Sequence, residues 1–498
     1  MGSLLSDLAQ YRLLIQLIFV LGIGGTFHHG FHIAVINAPS LYIKSFINDT
    51  WQKRYNSTMD EKTLTVLWSS VVSFYSVGGL LGSLMTEYLT GKYGKMKCQL
   101  WNNVLVLAAA LLMGFCRMAD SFEMILIGRL LYGFSAGFGL NIHMQYLGEI
   151  APKRLRGLTN STATIFATVG KLVGQILGLS EILGTKSWWP LLLAITSITA
   201  LIQLVTLPCF PETPAYLLIQ KEDTESCRKV MKQLWGNKDH QEELADLLKE
   251  KDLRKTKSQM TPLDLLRDRS LRWQQYLMLT MVLTIQLSGV NAIYFYSYDV
   301  FHTAGFSLEE IPYLTLGIGA SETIATVLCW SLIERMGRKT LLLCGYGLMA
   351  FSLGLLTVTL SLKDYYSWIP YCSLGLIFLY ILFFGSGTGA SVAIISEIFT
   401  QSSRAAAFVF IGSFTWVGIY LIAMIFPFIV ESMGQYCFLI FLSCIVSSWI
   451  VIFLFLPETK AKSSLEIMME FNKLNFGSEH IRSTSENPHE ASEKCSRL

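Results

Sequence analysis

Charge is scarce in this chain: Asp, Glu, Lys and Arg make up only 15% of its 498 residues, while hydrophobic residues make up 52%. A water-soluble globule of that length needs far more polar surface, so the composition excludes one and places the chain in a bilayer. Mean hydropathy is +0.45. Metal-ligand spacing is missing too. The ten Cys stand scattered at 98, 116, 209, 227, 329, 344, 372, 437, 444 and 495 with no CxxC among them, which reads as small apolar filler. No nucleophile–base constellation and no phosphate loop occur, so an enzyme is not expected, and no cofactor or metal. The net charge of +3 comes from basic residues gathered in short loops, which argues against nucleic acid as a partner. No basic n-region with a small-residue cleavage site precedes the first apolar run, so that run is expected to be retained rather than cleaved.

What the chain has in quantity is apolar runs of membrane-spanning length. Crossing about 30 Å of hydrocarbon takes roughly 20 such residues in a helix, and twelve runs qualify, from 13–36 to 434–456. The fold class expected is an all-α polytopic membrane protein of twelve transmembrane helices. Loops 90–98, 150–157 and 334–339 carry Lys92, Lys95, Lys97, Lys153, Arg154, Arg156, Arg335, Arg338 and Lys339. The positive-inside bias therefore puts those loops, and both termini, in the cytoplasm. Loop 37–63 falls outside and offers two glycan acceptors, Asn48 and Asn56.

Short motifs recur at a nearly constant offset. The differences 397 − 149 and 404 − 156 are both 248, relating Glu149 and Arg156 to Glu397 and Arg404. Gly94-Lys95 recurs as Gly337-Arg338 (337 − 94 = 243), and Pro211-Glu212-Thr213 as Pro457-Glu458-Thr459 (457 − 211 = 246). The chain is two copies of a six-helix unit, an arrangement that places a substrate site at the midplane between halves. The division expected is 1–12 cytoplasmic start, 13–210 first half, 211–271 linker with short cytoplasmic helices, 272–456 second half and 457–498 a largely disordered tail. Glu149 with Arg156, and Glu397 with Arg404, are read as state-dependent latches at the cytoplasmic gate. The terminal Met1-Gly2-Ser3 and Cys495-Ser496-Arg497-Leu498 fit lipidation patterns loosely, but twelve spans leave a lipid anchor nothing to add.

These motifs are joined by Gly30-Phe31-His32, Gly128-Arg129, Tyr146-Leu147-Gly148-Glu149, Pro211-Glu212-Thr213-Pro214, Gln286-Leu287-Ser288-Gly289-Val290-Asn291, Glu334-Arg335-Met336-Gly337-Arg338 and Pro457-Glu458-Thr459-Lys460. Together they resemble the facilitative hexose transporters, in the sugar-porter branch of the major facilitator superfamily, over about 12–470. With Val282-Leu283-Thr284 ahead of Gln286, the chain is most similar to their second class, whose members carry fructose or urate. The resemblance implies a cavity lined by Gln175, Gln286, Asn291 and Trp416, groups that bond hydroxyls both ways and stack on ring faces. It also implies a break in helix 7 at Gly289 and an outer gate of Tyr294, Phe295 and Tyr296.

Departures from the family pattern bear on cargo. Thr164 and Ile285 stand where amides are usual, and the proline-rich turn of helix 10 is replaced by Gly387-Thr388-Gly389-Ala390-Ser391-Val392, which leaves a hinge resting on two glycines. Met96 and Ala215 replace arginines of the cytoplasmic motifs. Lys171, Glu322, His28, His29 and His32 lie at membrane depth, where an unpaired charge costs at least about 2.5–3.5 kcal/mol. Lys171 and Glu322 either pair across the two halves or, alternatively, Lys171 attracts an anion such as urate while Glu322 accepts an N–H from it. His32, where proton-coupled relatives carry Asp, is either a neutral hydrogen-bonded imidazole or part of a proton-linked step. The function expected is facilitated hexose transport at the plasma membrane, fructose ahead of glucose. Urate or another organic anion is the alternative cargo, and a non-transporting membrane sugar sensor the alternative class.

Overall fold

A computed structural model describes residues 11–152, 155–235, 241, 244–245, 247–248, 251, 262–399, 401–459 and 464–476; the side chains of Arg156 and Arg404 lie outside the described residues. Ten stretches are long and apolar enough to cross a membrane. One of them, Ala406–Phe455, is two helices joined by a turn at Gly434–Tyr436. A further helix, Arg156–Leu177, is apolar over Thr162–Leu177. The described chain therefore holds the twelve expected spans. They are α1 (Arg12–Ala34), α2 (Glu61–Tyr93), α3 (Lys95–Phe115), α4 (Glu123–Ile150), α5 (Arg156–Leu177) and α6 (Trp189–Cys209), then α7 (Arg269–Thr303), α8 (Ile311–Met336), α9 (Arg338–Ser361), α10 (Ile369–Ile398), α11 (Gln401–Met433) and α12 (Cys437–Phe455).

Within the first half, α4 packs against α2 and α3, and α1 lies along α5; within the second, α10 packs against α8 and α9, and α7 against α11 and α12. The halves meet along two seams, α2 against α11 and α5 against α8. Because α8 is the second copy of α2 and α11 the second copy of α5, the two seams are one contact made twice about a pseudo-two-fold axis. This is the twelve-helix, two-half major facilitator fold.

Three segments depart from the sequence reading. The 37–63 loop contains a helix, Ser40–Tyr55, held to the turn between α3 and α4 by Lys53–Asp120 and Arg54–Glu123 ion pairs. The tail, expected to be largely disordered over 457–498, is helical over Ser464–Phe476. Its Ile467 and Phe471 are buried, and Asn475 Nδ2 donates to the carbonyl of Ser270 at 2.6 Å, so apolar burial and a cap outweigh its polar composition; 477–498 lie outside the described residues. The helix α10 runs unbroken through Gly387 and Gly389, where a hinge had been inferred. Without prolines the i→i−4 hydrogen-bond ladder has every donor it needs. In the linker, the amphipathic helix Thr224–Trp235 forms as expected and docks on the end of α4, Trp235 Nε1 donating to the carbonyl of Ile150 at 2.8 Å.

Candidate functional site

The seam between α5 and α8 contains a buried ion pair. Lys171 Nζ donates to Glu322 Oε1 at 2.7 Å and to Oε2 at 2.9 Å. Tyr294, on the second part of α7, donates its hydroxyl to Glu322 Oε2, and its ring lies beneath the ammonium with the centroid 4.3 Å from Nζ. Of the two arrangements open on sequence, the structure shows the mutual pair. One turn further along α5, Gln175 is buried against Gly319 of α8. Both its amide atoms are buried with no hydrogen-bond partner among the described residues. A stranded amide costs roughly 1–3 kcal/mol, so this is a place where a polar ligand or water is wanted. Thr164 sits two turns before Lys171 on α5 and is exposed.

The seam between α2 and α11 is built differently. Trp416 on α11 donates Nε1 to Ser83 Oγ of α2 at 2.8 Å, and its ring fills the space beside Gly79, where a Cβ would come within 2.3 Å of it. His29 of α1 and Tyr75 of α2 close around the indole, with centroids 5.4 Å and 5.8 Å away, and His29 Nδ1 is 3.2 Å from the Tyr75 hydroxyl. His29 thus joins the inter-half cluster. His32 does not: its ring stacks on Tyr132 of α4 at 3.7 Å and its Nε2 lies 3.2 Å from Thr196 Oγ1 of α6. The i, i+4 spacing turns His28 the same way, onto Thr199 of α6 at 2.5 Å. His32 therefore lies one layer into the first half, away from the seams, as a hydrogen-bonded imidazole.

Helix α7 breaks where the glycine was expected to break it. The helix Arg272–Leu287 ends, Gly289 takes φ +91°, and a second helix runs Val290–Thr303. A left-handed φ of this kind suits a residue without Cβ. Across the break Asn291 Nδ2 donates to Gln286 Oε1 at 2.8 Å, which ties two site candidates together. Beyond it Tyr294, Phe295 and Tyr296 are buried, and Tyr296 donates to the carbonyl of Ala423 at 2.5 Å. The two halves are joined at this end of the bundle. Asn37 Nδ2, just past α1, donates to Ser297 Oγ at 2.6 Å, and Tyr313 of α8 donates to Glu181 at 2.6 Å.

At the opposite end each half carries the same clasp. Gly94 and Gly337, with φ +90° and +93°, turn the chain from α2 into α3 and from α8 into α9. The Glu212 carboxylate accepts from the N–H groups of Lys95 and Met96 at 3.2 and 3.1 Å. Its counterpart Glu458 accepts from Arg338 at 3.0 Å and from Lys339 and Thr340 at 3.4 Å. Each carboxylate satisfies orphan donors at a helix N-terminus, where its charge also suits the macrodipole. Burial pushes the Glu212 carboxyl above the ordinary range, opposed by those donors. Glu149 pairs with Lys95 at 2.8 Å and Glu397 with Arg338 at 3.1 Å. The latch carboxylates thus engage the cation at the start of α3 or α9, contacts the sequence reading missed. The signal was present, since Lys95 and Arg338 also repeat, at an offset of 338 − 95 = 243. The expected partners Arg156 and Arg404 have side chains outside the described residues.

Comparison with known proteins decides the family. The family described as "Sugar (and other) transporter" matches residues 17–471. The chain belongs to this sugar transporter family. It is 40% identical over 459 residues to human solute carrier family 2, facilitated glucose transporter member 5, covering 92% of this chain and 91% of the relative. It is also 40% identical over 473 residues to human member 11, covering 95% of each, and over 453 residues to mouse member 9, covering 91% of this chain and 84% of the relative. Among solved structures, an inward-open form of the xylose transporter XylE from E. coli superposes with a TM-score of 0.74 at 19% identity, covering 92% of this chain and 99% of that one. The chain is a multi-pass membrane sugar transporter and not an enzyme. In such a transporter the two seams are where halves must part and close, and they carry most of the site candidates.

Proposed function

We propose that this sugar transporter carries a hexose, fructose ahead of glucose, across the plasma membrane by facilitated alternating access, with both termini cytoplasmic. Its relatives named as facilitated glucose transporters support the carrier class. The single observation that carries the site is the Gln175 amide, buried beside the α5–α8 seam with both polar atoms unpartnered. Each sugar hydroxyl is both donor and acceptor and can satisfy it. Thr164 and Ile285, in place of the amides usual in glucose carriers, support fructose over glucose, as does the resemblance to the second class. Gln286, Asn291, His29 and Trp416 complete the lining. Tyr294 and Phe295 form the outer gate, and Glu149 and Glu397 belong to the cytoplasmic one.

The test is counterflow uptake of labelled fructose, glucose and urate into liposomes holding the purified chain, at two pH values. Saturable fructose uptake exceeding glucose uptake is the expected result. Uptake of neither hexose, with binding still measurable, would replace the carrier with a sensor, and urate uptake alone would replace the cargo with an anion. Strict pH independence would remove the proton-linked step considered for His32.

A further inference from the structure

We propose that Lys171 and Glu322 form a charge filter, which admits neutral polyhydroxy substrates and rejects anions of the same size. This inference rests on hexose transport and deepens it. The donor side of the pair is full. An ammonium has three N–H groups; two point at Glu322 at 2.7 and 2.9 Å, and the Tyr294 ring lies against it at 4.3 Å. The acceptor side is not full. A carboxylate has about four lone-pair sites, and Lys171 and Tyr294 fill three of them.

A hydroxyl can add itself as donor to the remaining acceptor site, and the unpartnered Gln175 amide one turn away supplies a second contact. A substrate carboxylate can take the ammonium only by displacing Glu322, which would leave that carboxylate buried without its cation. The side chains of Lys171 and Glu322 are 11% and 8% exposed, so solvent does little to soften that loss. The excluded class is therefore set by the partner rather than by Lys171 itself. Removing Glu322 turns the same lysine into an anion receptor, and removing Lys171 turns the same carboxylate into a cation receptor.

The experiment compares uptake of D-fructose, D-glucuronate and protonated D-glucosamine into proteoliposomes of the full chain. The wild type is expected to exclude glucuronate relative to fructose. Glu322→Gln is expected to raise the glucuronate-to-fructose ratio at least tenfold, and Lys171→Met/Glu322→Gln to abolish the gain. Lys171→Gln is the mirror variant and stands in if Glu322→Gln does not fold; it is expected to raise the glucosamine-to-fructose ratio instead. Variants that carry fructose but show neither gain overturn the filter while leaving hexose transport intact. If the wild type carries no sugar, the carrier reading fails by itself. The filter is then read from thermal stabilisation by glucuronate, which must appear in Glu322→Gln and not in the wild type, and equal shifts in both overturn it.

Discussion

Replacing Lys171 with Met keeps an unbranched side chain only one heavy atom shorter and removes its charge, so the change tests the ion pair with little loss of packing. In the wild type Glu322 receives two donors from Lys171 and one from Tyr294; in the variant only Tyr294 remains. Stranding one partner of a buried pair costs about 3–5 kcal/mol, whereas replacing both with neutral groups of similar volume is close to neutral. Glu322→Gln keeps an acceptor for Tyr294, so Lys171→Met/Glu322→Gln loses the charges together and little else. On those figures the coupling, the two single losses less the near-neutral double, is about 6–10 kcal/mol, above the roughly 0.5–3 kcal/mol usual for contacting residues. The assay is reversible denaturation of detergent-solubilised protein for wild type, both single variants and the double variant. Each single variant should be destabilised by more than the double. Losses that add to within about 0.5 kcal/mol, the range seen for independent sites, would refute the claim that the pair, rather than each residue's packing, holds the α5–α8 seam.

Other expectations follow from single contacts. Gly289→Ala places a Cβ 2.4 Å from Phe441 Cδ2 at φ +91°, so a loss of about 1–3 kcal/mol and slower uptake are expected; unchanged denaturation and flux would show that α7 does not need the break. Glu212→Ala removes the acceptor for the Lys95 and Met96 N–H groups and should cost about 0.5–2 kcal/mol, with Glu212→Gln recovering part of it in the same denaturation assay; equal losses would leave the cap without a role. Asn56 ends the helix Ser40–Tyr55 in an exposed turn, while Asn48 lies inside that helix with the threonine of its sequon, Thr50, buried. Asn56→Gln should therefore abolish a glycosidase-sensitive shift in gel mobility, and Asn48→Gln should leave it unchanged.

The spans and the repeat were legible because each rests on local chemistry, apolar length and recurring short motifs, whereas the break at Gly289 was implied by the family resemblance. The Lys171–Glu322 pair was legible as one of two open arrangements, since two opposite charges at membrane depth have few other partners to find. What was not legible depended on which neighbour a side chain meets. His28, His29 and His32 read alike as membrane histidines, yet successive residues on a helix point about 100° apart. That periodicity was enough to set His28 and His32 on one face and His29 on another, but only the packing of α4 and α6 shows that the first face looks away from the seams. The carboxylates of Glu212 and Glu458 were seen as repeats, and their work as caps for α3 and α9 is a contact over more than a hundred residues.

The offset of 243 that relates Gly94 to Gly337 also relates Gly79 to Glu322, and the offset of 248 carries Thr168, one turn from Lys171, onto Trp416. Thus Gly79 with Trp416 and Glu322 with Lys171 belong to one inter-half contact made twice, displaced by one turn on the α5 and α11 side. One copy became an indole seated on a glycine, the other an ion pair. Identical seams would present the same chemistry from both sides of the cavity and could not fix which way round a substrate lies. With an aromatic face from α11 on one side and an acceptor-rich carboxylate and amide from α8 and α5 on the other, a ring can stack at one edge while its hydroxyls bond at the opposite edge. In the proposed site this asymmetry favours one orientation of the cargo, and the residues proposed to choose between neutral and charged substrates lie on the α5–α8 side.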